Sequence, residues 1–264
     1  METRDQLYQL RKMVSRAIKQ KGKIIAVTSG KGGVGKSSVA LNLSLALTQL
    51  NHRVLLIDAD HSLPDLHVLL GVSPAKRLRE TLVEGKKIEE VIVQHESGLH
   101  MIFSGRSDVK SEMNELALTQ TFFDELTQLQ SQYEYIIFDT AAGISEPIVN
   151  IALKSDDILV VTTPEPAAIS DSYALVKVLS GMDRNLYFHS VINWVQSEEQ
   201  AKEVYERFEL VIDHFLKVRS DYWGHMVEDK HVREAAEKQR PFVLEWTKSK
   251  ASRCVYQIAN GIAE

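Results

Sequence analysis

Ile24-Ile25-Ala26-Val27-Thr28-Ser29-Gly30-Lys31-Gly32-Gly33-Val34-Gly35-Lys36-Ser37-Ser38-Val39-Ala40-Leu41 decides how the rest of the chain is read. An apolar run of β type enters a glycine-rich loop, and a helical pattern leaves it. Gly30 through Ser37 fits G-x-x-x-x-G-K-[ST], the pattern of a phosphate-binding loop. Its glycines allow a tight turn in which successive N–H groups face an anion, and the helix that follows adds the positive end of its dipole. In such a loop the lysine, here Lys36, reaches the β- and γ-phosphates, and the hydroxyl of Ser37 ligates Mg2+. Gly30, Lys31, Gly32, Gly33, Val34, Gly35, Lys36, Ser37 and Ser38 are therefore expected to line a nucleoside triphosphate site. Lys31 is a second lysine in the same loop. Because Lys36 already supplies one cation, Lys31 suggests a charge that reaches across to a neighbouring subunit's nucleotide.

Outward from this loop, the apolar run Arg53–Ile57 closes in Asp58-Ala59-Asp60, and Tyr135–Phe138 closes in Asp139. Open α/β sheets place their ligand chemistry beyond the C-terminal ends of the strands. Asp58 and Asp60 are thus candidates to serve Mg2+ and an attacking water, and Asp139 to hold the Mg2+ through water. Leu99–Phe103, Asp157–Thr162 and Leu186–Asn193 read as further strands. Helices are expected over Ser38–Leu50, over Glu112–Gln130 and from Pro166, a residue suited to a helix's first turn. Leu78–Val93 suggests short helical pieces. Strands alternating with helices predict an α/β fold: a doubly wound, mainly parallel sheet with helices on both faces. Near the C-terminus, Ala251, Cys254, Val255, Ile258, Ala259 and Ile262 form one apolar stripe, as in a helix packed on its own sheet.

The 264 residues suffice for one large domain with a sizeable core. Thirty-one basic and 36 acidic residues give a formal charge of −5, which does not favour whole-surface attraction to nucleic acid but leaves a local basic patch open. Cys254 is the one cysteine, so no intramolecular disulfide forms, and its place in an apolar stripe suggests a buried small hydrophobe. There is no secretory signal and no apolar run long enough to span a bilayer. Met1–Lys23 differs from the remainder: it carries a formal +5, and Leu7, Leu10, Val14 and Ile18 recur at helical spacing. Residues 1–22 are expected to form an amphipathic helix ahead of a domain spanning 23–264.

Lys31-Gly32-Gly33-Val34-Gly35-Lys36-Ser37 resembles the deviant Walker A motif of the MinD/ParA ATPases, in which the first lysine acts across a nucleotide-sandwich dimer. Thr140-Ala141-Ala142-Gly143-Ile144-Ser145 is similar to the D-T-x-A-G-I-S switch of that family. The segment from Thr162 through Leu179 most resembles the T-T-P-E-P-T-A-I-T-D-A-Y-A-L-I-K stretch of the FlhG branch, the MinD-like flagellar regulators. Asp5-Gln6-Leu7-Tyr8-Gln9-Leu10-Arg11 resembles the D-Q-A-x-x-L-R activation motif of the same branch, with Leu7 in place of alanine.

The resemblance implies a slow, partner-regulated ATPase using ATP and Mg2+, homodimeric with ATP, that controls flagellar number or placement. It implies that Lys31, Lys36 and Asp60 act in catalysis, with Asp60 positioning the water. Ser37, Asp58 and Asp139 would serve Mg2+, Asp58 supporting its shell from behind, and Asn193 would read adenine. In that branch the segment matching residues 1–20 stimulates a partner GTPase, FlhF. Here Gln6 and Arg11 would be its polar contacts and Leu7 and Leu10 its anchors; the alternative is a helix docked on its own domain. Basal-body proteins are further expected partners, with a cytoplasmic protein recruited to the pole or the membrane by a partner.

The sequence departs from the family in three places. Asp65 and His67 stand where it carries asparagine and aspartate, and Val227 replaces a proline near the adenine. No basic amphipathic helix follows Ile262, so membrane binding is not expected without a partner. Two other functions remain open: a DNA-associated partition or cargo-positioning ATPase, against which the −5 charge argues mildly, and a nucleotide-binding scaffold with little hydrolysis, in view of Asp65–His67.

Overall fold

Extended apolar runs buried on both faces satisfy their backbone groups by pairing with neighbouring strands, and in this chain they do so side by side. The structure is a computed structural model that describes residues 21–60, 65–78, 80, 81, 86–104 and 120–263. In chain order the elements begin with β1 (Lys23–Ser29), α1 (Lys36–Gln49), β2 (Val54–Ala59) and the single turn α2 (Leu66–Leu69). A 3-10 turn (Ile88–Val91) precedes β3 (Val93–Gln94) and β4 (His100–Ile102). Next come α3 (Gln120–Leu129), β5 (Tyr135–Ala142), α4 (Glu146–Leu153), β6 (Asp157–Thr162) and α5 (Pro166–Met182). The chain continues through β7 (Tyr187–Val195), α6 (Glu198–Phe215) and β8 (Arg219–Val227) to α7 (Lys230–Lys238), α8 (Phe242–Glu245) and α9 (Lys250–Ala263).

The strands form one sheet in the order β3-β4-β2-β5-β1-β6-β7-β8, parallel throughout except for the β3–β4 edge pair. The doubly wound, mainly parallel architecture expected from the sequence is the one found. Connections leave β1 toward β2 on one side, and β5 crosses over it to β6 on the other. That reversal makes a crevice at the C-terminal end of β1, where such sheets bind ligands.

Alternation along the strands assigns the helices to the two faces. Ile25 and Val27 of β1 pack with Leu41 and Leu45 of α1 and with Val255 and Ile258 of α9. Ile24 and Ala26 face the other way, toward Phe122 and Leu126 of α3, while Ile158 and Val160 meet Leu175 of α5 and Phe208 of α6 on that same side. The stripe on α9 is buried as its spacing predicts, including Cys254, with Ile262 partly buried against the same cluster. The helix expected over 112–130 is described only from Gln120, and the N-terminal segment lies outside the described residues. Strand β8, polar along much of its length, carries no apolar run by which to find it.

At the N-terminal ends of the strands the polar groups are paired. Asp157, buried at the start of β6, forms an ion pair with Lys23 of β1, and His189 Nε2 of β7 lies 3.0 Å from its Oδ1. Burial alone would raise the Asp157 carboxyl, but the hydrogen bonds from His189 and Lys23 outweigh it and hold the group below its ordinary value of 3.8. A carboxyl lowered in the folded state contributes stability above its unfolded value and loses it as pH falls through the folded value. Asp157→Asn is therefore expected to cost about 1–3 kcal/mol at neutral pH, the worth of charge-assisted hydrogen bonds. Urea denaturation should show the gap to wild type closing on acidification below about pH 4, and a gap that widens there would contradict the pairing.

Candidate functional site

The loop between β1 and α1 takes its shape from glycines at positions where a side chain does not fit. A Cβ on Gly30 would stand 2.1 Å from the backbone carbonyl carbon of Asp171 in α5, so the chain can leave β1 there only as glycine. Gly33 and Gly35 have φ of 77° and 84°, the left-handed region. Gly35 also precedes α1 directly, and no side chain caps that helix. Its first-turn N–H groups are left facing the crevice, the arrangement that binds anions at helix N-termini. Behind the loop, Asn193 Nδ2 donates to the Val34 carbonyl at 2.7 Å.

The charged residues converge under this loop. Lys36 Nζ lies 2.6 Å from Asp139 Oδ1 and 3.3 Å from Ser37 Oγ, with the Lys36 and Asp139 side chains both buried. The parallel register of β2 and β5 sets Asp58 directly beside Asp139. Asp58 Oδ1 accepts the backbone N–H of Asp60 at 3.2 Å, and Ser104 Oγ donates to the Asp60 carbonyl, so Asp60 is held at the mouth of the site. Burial, with the neighbouring Asp139 charge, pushes the Asp58 carboxyl well above the carboxylate range. Burial also raises Asp139, against the pull of Lys36. The segment after Asp139 is tied to the end of β1 by Gly143 N–H to the Ser29 carbonyl at 2.8 Å and Thr140 Oγ1 to the Val27 carbonyl at 3.1 Å. On the rim, Lys31 Nζ lies 2.7 Å from Glu165 Oε1, an exposed pair.

Two residues join the site that sequence reasoning did not assign to it. Asp65, ahead of α2, shares a hydrogen bond with the Ser37 side chain. Burial on its inner side raises its carboxyl, while Lys36 and Ser37 pull it down. The sequence offered one signal, an acid where the family carries asparagine. Glu165 was visible only as part of a family segment; its partnership with Lys31 depends on the approach of α5 to the loop. His61–Pro64 lie outside the described residues.

The donor set fits a nucleotide with Mg2+. Among the described residues, Asp58 Oδ2 and Asp139 Oδ2 are buried and accept no hydrogen bond, as oxygens awaiting a cation would be. Also among the described residues, no cluster of three or more His, Cys, Asp or Glu could hold a metal by itself. Mg2+ is a hard cation bound through one or two carboxylates together with substrate phosphates, and Asp58 and Asp139 lie side by side as two such carboxylates. The open glycine loop and the α1 N-terminus supply the phosphate side.

Comparison with known proteins agrees. A family model described as an AAA domain matches residues 22–192. Antiactivator FleN of Pseudomonas aeruginosa is 35% identical over 247 residues, covering 90% of this chain and 85% of its own length. The flagellum site-determining protein YlxH of Helicobacter pylori is 37% identical, covering 76% of this chain and 68% of its own. Among solved structures, the cell division ATPase MinD of Pyrococcus furiosus superposes with a TM-score of 0.77 at 23% identity, over 92% of this chain and 98% of that one, a likeness of fold. The chain belongs to the MinD/ParA family of P-loop ATPases. Its likeness to FleN and YlxH puts it on the flagellar-regulator branch of that family.

A raised buried carboxylate destabilises the fold at neutral pH, since the folded state would rather hold the proton. Asp58→Asn keeps an acceptor for the Asp60 N–H and removes that charge. It is expected to raise the melting temperature of the ligand-free protein by roughly 2–4 °C, the shift about 1 kcal/mol produces in a chain of this size. Calorimetry across pH checks this: the gain should shrink on acidification, and a loss of stability at neutral pH would show that Asp58 is structural.

Proposed function

We propose that the protein hydrolyses ATP, dimerises when ATP is bound, and uses that switch to control the number or placement of flagella. The observation that carries this reading is the division of labour between two lysines of one loop. Lys36 is buried against Asp139 at the floor, whereas Lys31 stands on the rim in an exposed pair with Glu165. Such surface pairs are worth about 0–1 kcal/mol, so Lys31 can leave Glu165 for a phosphate on a second subunit at little cost. What supports the flagellar reading is the likeness to FleN and to a protein named for determining the flagellum site.

In this reading Lys36 turns from Asp139 to the β- and γ-phosphate oxygens. Ser37 and Asp139 would hold Mg2+, with Asp58 supporting that site, and Asn193 would serve the base. Mg2+ supplies positive charge that offsets the charge developing on the phosphate oxygens. Asp60 orients a water whose oxygen forms a bond to the γ-phosphorus as the bond to ADP breaks, leaving ADP and phosphate. The residues from 23 onward form the ATPase unit, and residues 1–20 act on an FlhF-like GTPase. Basal-body proteins are further partners, and recruitment from the cytoplasm to the pole or membrane runs through a partner.

Size-exclusion chromatography with light scattering, with ATP and Mg2+, tests the switch. Asp60→Ala is expected to bind ATP, release no phosphate and accumulate as dimer, while Lys31→Ala stays monomeric with nucleotide bound. Lys36→Ala, which binds no ATP, is the control. An Asp60→Ala protein that stays monomeric with ATP bound would overturn the role given to Asp60. For the N-terminal segment, a peptide of residues 1–20 is expected to speed GTP turnover by the cognate GTPase; unchanged turnover at saturating peptide leaves that partnership without support.

A further inference from the structure

Trp194 is the oddest residue near the site. It sits next to last in β7, at the C-terminal edge of the sheet, with φ of 58°, a left-handed backbone that a bulky side chain rarely adopts. The conformation is enforced locally: the Trp194 N–H donates to Asn193 Oδ1 at 2.9 Å, while Asn193 Nδ2 holds the Val34 carbonyl of the phosphate loop. Both ends of the Asn193 amide are thus engaged in bracing the loop, and Asn193 itself is buried. The turn this forces sends the next side chain outward. Trp194 is 48% exposed, and its Nε1 lies 3.8 Å from where a Cβ on Gly35 would stand, beside the last glycine before Lys36.

The other two tryptophans are occupied. Trp223 stacks on His189 at 3.9 Å between centroids, and Trp246 lies 5.4 Å from the His231 ring with Lys238 Nζ 4.6 Å from its own. Among the described residues, no ring or cation pairs with Trp194. A strained backbone that holds a large flat apolar ring in water, next to a polyphosphate cradle, gains nothing for the fold. Strain of this kind concentrates at ligand clamps.

We propose that Trp194 is the stacking platform for the nucleobase, and that it makes the loop select nucleotides over bare polyphosphates. The proposal rests on the nucleotide reading of the loop given above and adds the residue that grips the base. The ring stands beside Gly35, directly before Lys36 and the α1 N-terminus, within reach of the base of a nucleotide whose phosphates the loop would hold. Every base has a π-face, and an aromatic partner holds it through stacking with little regard to its hydrogen-bonding edge. The platform therefore contributes affinity for a nucleotide, while the discrimination among bases is left to other groups.

The test compares ADP with inorganic tripolyphosphate, both with Mg2+, by calorimetric titration of the full chain. Trp194→Ala is expected to weaken ADP on the order of tenfold and to leave tripolyphosphate unchanged, with Trp194→Phe retaining most of the ADP affinity. ADP should also quench the indole fluorescence of the wild-type protein, and the quench should vanish in Trp194→Phe, in which Trp223 and Trp246 remain. Unchanged ADP affinity in Trp194→Ala overturns the proposal, and if that variant has instead lost its ATP-dependent dimer, the ring is a subunit contact. Equal loss of ADP and tripolyphosphate also overturns it, showing that Trp194 only shapes the loop. A wild-type protein that binds neither ligand refutes the nucleotide reading itself, which is a different failure.

Discussion

The buried pair between Lys36 and Asp139, 2.6 Å apart, is the constraint to which the rest of the site answers. Two charges held away from water in this way are costly to desolvate, and removing one partner leaves the other uncompensated at roughly 3–5 kcal/mol. The pair therefore keeps the ligand-free protein tolerable, yet it joins the two groups a nucleotide site must use separately. Lys36 can turn to a polyphosphate only if Asp139 gains another cation, and Asp139 can serve a cation only if Lys36 finds another anion. Polyphosphate and divalent cation are thus coupled by exchange of partners. The same logic extends outward: Asp58, set beside Asp139 by the strand register, gains from any added positive charge, as does Asp65 next to Ser37.

How much of this was legible in the sequence follows from where the information resides. The loop from Gly30 to Ser37 could be read because its glycines answer to local backbone geometry, and two of them do adopt the left-handed conformation. The strands at 24–29, 54–59, 135–142 and 157–162 could be read because burial on both faces demands unbroken apolar runs. The meeting of Asp58 with Asp139 could be anticipated from both acids closing such runs, but their side-by-side register belongs to the pairing of β2 with β5. The partnership of Lys31 with Glu165, 134 residues apart, depends on α5 approaching Gly30 closely enough to exclude any side chain there. No local pattern encodes that approach. Strand β8 escaped because only Met226 in it is fully buried.

The two ends of the sheet show opposite treatments of charge. At the N-terminal ends the buried Asp157 is matched to Lys23 and His189, and the exposed Glu134 accepts the Arg53 N–H beside His52, so both carboxyls are held low. At the C-terminal ends Asp58 and Asp139 are buried side by side, with Lys36 paired to Asp139, and both are held high. The same kind of group therefore contributes stability at one end and costs it at the other. Natural folds tolerate such local disagreement where function requires it and offset it elsewhere. Here the offset lies in the continuous cores on both faces of the same strands, which span from one end to the other and fix the acids in place. The sheet does not relax to relieve Asp58 and Asp139, because doing so would break the register that buries Leu55, Ile57, Ile136 and Phe138 between the helices. That rigidity keeps the site poised: relief must come from a ligand rather than from the fold.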